Sequence, residues 1–278
     1  MLDLRPVGYV IGLLVATLGF TMLAPLAADL IAGNNHWPAF LESAIVTMLT
    51  GGLIALACAN AVEEGLTLRQ TFLLTSLVWL TLPLFGAIPF VIGATNADFT
   101  DAFFEAMSGL TTTGATVFSG LEALPAGIKL WRGTLQWLGG VGIIVVAMVF
   151  LPELRVGGMQ IFRTEGFETG GKILPRAGEI ASRISVIYVF LTVTCALTYS
   201  AFGMETFDAL VHAMTTVSTG GMANTDASFG YYGEAVHYAA AIYMILAALP
   251  FVRYVQIMAG TAKPLLKDTQ IHAFLVII

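Results

Sequence analysis

The chain has 278 residues, of which 57% are hydrophobic and 11% charged, with a formal net charge of −6. A soluble domain carries roughly a quarter charged residues, so composition excludes a water-soluble globule and requires segments buried in a bilayer. The few, scattered Lys and Arg also exclude a nucleic-acid-binding surface.

Windows of about 20 apolar residues predict six membrane spans, near 7–30, 39–61, 70–93, 128–151, 184–203 and 235–259. The small residues between Ala24 and Ala28 resemble a signal-peptide cleavage region. Yet the apolar run is long for a signal core, and only Arg5, against Asp3, charges its start, so a retained transmembrane helix is expected. The first two spans, joined by the uncharged loop Gly33–Pro38, make an initial two-helix unit (1–66). A first pore repeat (67–151) then reads as span, short helix (100–110), hydroxyl-rich loop (111–116) and span. A polar connector (152–183) follows, with five basic and four acidic residues, too polar to be buried in lipid. Its Gly157, Gly158, Gly170 and Gly171 form no phosphate-binding loop. The second pore repeat (184–260) returns in the same order, with a short helix at 206–216 and a loop at 217–222. Residues 261–278 read as a linker and the start of a third repeat, because an apolar run opens at Ile271; the chain is expected to be the front of a longer architecture. Cys58 and Cys195 fall within spans, without metal-ligand spacing, and read as small buried hydrophobes.

The two short helices and their loops are copies of one another. Asp101–Thr116 reads DAFFEAMSGLTTTGAT and Asp208–Ala223 reads DALVHAMTTVSTGGMA, with Asp, Ala, Ala, Met, Thr and Gly in register. Each helix is too short to cross a bilayer and runs into Thr, Ser and Gly, the composition of a re-entrant loop whose backbone can face an ion. Thr100 and Thr206 are the expected N-caps, with Asp101 and Asp208 in the first turns. The helix C-termini would then point their negative dipole ends into the membrane, favouring a cation. Hydroxyls and carbonyls of Thr111, Thr112, Thr113, Gly114, Ser218, Thr219, Gly220 and Gly221 are the candidate ion ligands, the glycines permitting unusual backbone angles.

Orientation follows from the basic residues. Arg5, Arg69, Arg155, Arg163, Lys172, Arg176, Arg183, Lys263 and Lys267 fall on one side of the predicted spans, and only Lys129 and Arg132 clearly on the other. The positive-inside rule places the N-terminus in the cytoplasm and both loops outside. Acids including Asp98, Glu105, Glu122, Asp208 and Asp226 then crowd the outer face and raise the local cation concentration. An intramembrane enzyme is disfavoured: no HExxH occurs and nearly all acids lie at span edges.

These residues resemble the Trk/Ktr/HKT superfamily of potassium transporters, and within it the TrkH-type subunit. The resemblance covers essentially the whole chain and rests on TTTGAT at 111–116, STGG at 218–221, QWLGGVGIIV at 136–145 and LPELRVGGMQIFRTE followed by Pro175-Arg176. It implies an all-α polytopic membrane protein: two initial helices, then two of the four span–loop–span repeats of a potassium-channel-like pore. It also implies potassium as the transported ion with no covalent cofactor, and a bacterial inner-membrane location. A homodimer and a cytosolic nucleotide-binding regulatory ring (TrkA-like) as partners are implied as well. The filter residues carry over as Thr111–Gly114 and Ser218–Gly221, with Gly114 and Gly221 as each segment's required glycine. Met222 departs from the aromatic the family carries there. The alternatives are a non-conducting or incomplete fragment, or a sodium-linked transporter of the same superfamily. Gly139, Gly140 and Gly142 are expected to allow close helix packing, His212 to pack a pore helix, and Arg253 to snorkel towards the cytoplasmic interface.

Overall fold

The computed structural model describes residues 3–61, 66–95, 97–154 and 177–278. Among them every regular element is a helix. Arg5–Ile31, Trp37–Cys58, Arg69–Ile92 and Ala181–Ala201 are each long and apolar enough to cross a membrane. Leu53, Leu56 and Leu197 lie 65%, 74% and 66% exposed on such helices, as lipid-facing side chains do. The protein is a polytopic membrane protein, all-helical among the described residues.

The chain divides into two compact units, 1–140 with 220–231, and 141–219 with 232–278. The first unit opens with α1 (Arg5–Thr21) and α2 (Leu23–Ile31), one apolar run interrupted at Met22, and continues with α3 (Trp37–Cys58). Glycine sets how closely α1 and α3 approach. A Cβ on Gly12 would meet Ala55 N and Gly51 O at 2.5 and 2.7 Å, and one on Gly51 would meet Ala16 N. Small residues let helix backbones touch in a lipid environment that offers no hydrophobic driving force. Next come α4 (Leu68–Gly86), α5 (Ile88–Ile92), α6 (Phe99–Leu110) and α7 (Ala126–Leu154), the last belonging to this unit up to Gly140. Thr67 and Gln70 form a reciprocal capping box at the start of α4. With 29 residues at ~1.5 Å each, α7 exceeds the ~30 Å hydrocarbon core.

The core of this unit gathers Met22, Phe40, Phe90, Ala106, Trp131 and Leu135, all buried. The Trp131 indole N–H donates to Gly86 O at 2.9 Å, satisfying the ring's polar end. A polar knot ties the first helices to this core. Asp29, fully buried, accepts from Asn34 Nδ2 (2.9 Å) and from Gly127 N–H (2.6 Å), and faces His36 Nδ1 at 3.1 Å. His36 Nε2 accepts Ala94 N–H at 2.7 Å, so Nδ1 carries the imidazole proton and donates to Asp29. The uncharged loop thus docks on α7 and on the lead-in to α6. Gly127 is required there, because a Cβ would strike the Asp29 carboxylate.

In the second unit α8 (Ala177–Ala201) packs on α9 (Thr206–Val217), with Tyr199 OH 2.8 Å from Thr216 Oγ1. The span expected at 235–259 is not one straight helix. α10 (Glu234–Ala248) and α11 (Phe251–Met258) meet at 83°. Leu249 and Pro250 are extended, with ψ of 148° and 115°, because proline disfavours helical backbone in the residue before it and lacks the N–H to continue the ladder. α12 (Lys263–Leu266) and α13 (Thr269–Ile277) follow. Arg253 does not simply snorkel: its Nε donates to Asp268 Oδ2 at 2.7 Å and its Nη1 to Gln256 at 3.1 Å. Within the connector, residues 155–176, including Arg155, Arg163, Lys172 and Arg176, lie outside the described residues.

Candidate functional site

Both short helices exist, as α6 and α9, but their caps differ from expectation. The cap of α6 is Asp98, whose side chain accepts Asp101 N–H at 2.9 Å; Thr100 is already inside the helix. The backbone of Asp98 is extended (ψ 171°), so the helix starts one residue before Thr100. The cap of α9 is Glu205, without a side-chain bond, and Thr206 is its first helical residue. A turn with Gly203 at φ +93° brings Met204 N–H to Tyr199 O and starts the helix one residue sooner than Thr206 capping would require.

At their C-termini the two helices unwind through the same two backbone bonds. Thr111 N–H donates to Met107 O at 2.9 Å and Thr112 N–H to Gly109 O at 2.8 Å. At the matched positions Ser218 N–H donates to Met214 O at 3.2 Å and Thr219 N–H to Thr216 O at 2.9 Å. The backbone then flips at every second residue. Thr112 and Gly114 have φ of +55° and +79°, and Thr219 and Gly221 have +59° and +74°. Left-handed φ is ordinary for glycine but unfavourable for a β-branched threonine. Strain of order 1–3 kcal/mol at such a residue persists only where the surroundings impose it.

The first loop and residues 220–231 share one compact unit, and the candidate residues Gly114 and Gly220 lie in contact within it. A Cβ on Gly114 would collide with Gly220 O, and one on Gly220 with the Gln136 side chain. Thr111 Oγ1 bonds Met107 O and Thr113 Oγ1, each at 2.8 Å, while Ser108 Oγ donates to Ala115 O at 2.5 Å. Ser218 and Thr219 belong to the other unit; Ser218 is buried, its hydroxyl donating to Thr215 O at 3.0 Å.

α7 supplies the support that sequence reasoning missed. Gly139 backs directly onto Leu110, where a Cβ would strike the carbonyl. Arg132, 2% exposed, donates from Nε to the buried Glu105 at 2.7 Å and from Nη1 to Ala223 O at 2.7 Å. Glu105 also accepts from Thr116 Oγ1 (2.9 and 3.0 Å) and from Val117 N–H (3.1 Å). Glu105 is therefore no part of an exposed cation-attracting field. Asp226 is likewise committed, accepting Gly120 N–H at 2.8 Å and Leu121 N–H at 3.0 Å. Those two backbone donors, Leu121 foremost, hold its carboxyl below the ordinary range. A cavity of about 280 Å³ opens beside these groups, lined by Gly114, Thr116, Arg132, Gly221, Ala223 and Asp226 among others. His212, where the first copy has Glu105, places Nδ1 2.8 Å from Asp208 O and its ring edge against Tyr232. Tyr232 OH in turn donates to Asp208 at 3.0 Å. One signal could have exposed the ion pair: an acid inside the first short helix that the second copy lacks, with Arg132 one of two clearly outer cations.

Residues 36–276 match the TrkH family, described as cation transport protein. The chain is 40% identical over 275 residues to the Trk system potassium uptake protein TrkI of Halomonas elongata, covering 98% of this chain and 56% of that protein. It is 38% identical over 277 residues to the Trk system potassium uptake protein TrkH of Escherichia coli K12, covering 98% of this chain and 57% of that protein. The crystal structure of the potassium transporter TrkH from Vibrio parahaemolyticus superposes with a TM-score of 0.88 at 34% identity, covering 99% of this chain and 57% of that one. The chain thus spans little more than half the length of these relatives.

Proposed function

Because the chain belongs to the TrkH family of cation transport proteins, we propose that it forms part of a potassium uptake transporter of the bacterial inner membrane. Residues Thr111–Gly114 and Ser218–Gly221 contribute two segments of its selectivity filter. One observation carries this reading: the same turn, with left-handed backbone at Thr112 and Gly114, recurs at Thr219 and Gly221. In an ordinary strand successive residues face opposite sides. Flipping every second residue brings consecutive carbonyls to one side, where they replace the hydration shell of a cation. The carbonyl end of the helix behind each turn adds negative potential beside that turn. The potassium uptake proteins TrkI and TrkH among its relatives favour K⁺ as that cation.

The chain works in this reading as two initial helices and two pore repeats, with the N-terminus and the 152–183 connector in the cytoplasm. As the family resemblance implies, the transporter is a homodimer, and a TrkA-like nucleotide-binding ring docks on its cytoplasmic face. Transport needs no cofactor, since the filter acts through the backbone.

Ala115 follows Gly114 at the outer end of the first segment and is exposed. In the full transporter, an Ala115→Cys variant is expected to react with a membrane-impermeant thiol reagent several-fold more slowly in K⁺ than in Na⁺. Equal rates in the two salts would remove this loop from the ion path.

A further inference from the structure

Resting on the filter reading above, we infer that Gln136 of α7 is a positioning residue for ion selectivity. It is fully buried, and its Oε1 accepts Met222 N–H at 3.0 Å, immediately beyond Gly221. That bond fixes the amide's orientation, because a backbone N–H demands the oxygen. Nε2 therefore points the other way, and it is buried with no hydrogen-bond partner among the described residues. It lies where a Cβ on Gly220 would be, and 3.5 Å from where one on Gly114 would be. One helical turn earlier on the same face, Arg132 holds Ala223 O at 2.7 Å. A helix of the first repeat thus grips two consecutive residues of the second loop. Two donors on this face, Arg132 Nη2 and Gln136 Nε2, lack a partner among the described residues, and the second sits where Gly114 meets Gly220.

This explains why the two loops differ in sequence. The first reads Thr-Thr-Thr-Gly and the second Ser-Thr-Gly-Gly. Thr113 is exposed, with room for its side chain, whereas at the matched Gly220 the Gln136 amide fills the space a side chain would need. Gly220 does not have left-handed φ, so backbone freedom does not explain its glycine. The space taken by Gln136 does.

The test measures Rb⁺ uptake and its inhibition by Na⁺ in the full transporter. Gln136→Met keeps the volume but leaves Met222 N–H without an acceptor. Discrimination against Na⁺ is expected to fall about tenfold, the equivalent of one buried hydrogen bond, with the protein still reaching the membrane. Gly220→Ala, which collides with the amide, is expected to lose discrimination likewise. Wild-type discrimination in Gln136→Met overturns the inference. If Gln136→Met does not accumulate, Gly220→Ala decides: unchanged discrimination there overturns it. Gly114→Ser serves as reference. If it too leaves ion preference unchanged, the filter reading itself fails; if it alone shifts preference, only the role of Gln136 fails.

Discussion

Glu105 and Arg132 show what single residues contribute to this site. Both are buried, and their bond of 2.7 Å joins the first short helix to α7, while Arg132 reaches on to Ala223 O. Removing one member of such a pair strands the other charge, at a typical cost of ~3–5 kcal/mol, whereas replacing both costs far less. Arg132→Met is therefore expected to lower the unfolding temperature in detergent substantially, and adding Glu105→Gln to recover part of the loss. A double variant no more stable than the single one would show that the pair contributes nothing as a pair. The partners are far apart in sequence, so no local spacing rule announces them. The left-handed glycines Gly114 and Gly221, by contrast, are legible in the sequence, since the proposed filter segments need left-handed backbone and glycine supplies it. Thr112 and Thr219 share that conformation, at φ +55° and +59°, and no propensity rule would place a β-branched residue there. Tertiary constraint overrides the local preference, and the strain marks the site more sharply than composition does.

Whole elements are the most legible level. Runs of about 20 apolar residues locate the spans, and the shared 16-residue pattern locates α6 and α9. What hydropathy hides is a change of direction within an apolar run. Leu249 and Pro250 sit inside such a run, yet α10 and α11 diverge by 83°. Pro250→Ala restores a backbone N–H and frees Leu249 to become helical. Spin labels at the exposed Tyr238 and Ile257 should then move apart, towards the ~28 Å of a continuous helix. An unchanged distance would mean that packing, through contacts such as Arg253 with Asp268, imposes the bend instead. The short-helix caps were less legible than the helices, because Asp98 and Thr100 can each cap and only the backbone angle at Asp98 separates them.

The whole molecule, to carry ions inward as proposed, must have one orientation and one ion path. With Cys58 and Cys195 replaced, Ala227→Cys should label from outside in intact cells, and Ala262→Cys only after permeabilisation; both positions are exposed. The reverse pattern would overturn the orientation drawn from the basic residues. If the repeated left-handed turns select the ion, as proposed, a matched pair of glycines will show it. Gly114 and Gly120 both have left-handed φ, +79° and +68°, but a Cβ meets Gly220 O at the first and no atom within 4 Å at the second. Serine at either site therefore carries similar backbone strain, and only at Gly114 does it also intrude on the proposed path. The decisive measurement is the ratio of K⁺ to Na⁺ uptake by the full transporter carrying Gly114→Ser or Gly120→Ser. The ratio should fall severalfold in the first and hold near the wild-type value in the second; a wild-type ratio in Gly114→Ser, or an equal fall in both, would mean that these turns do not select the ion.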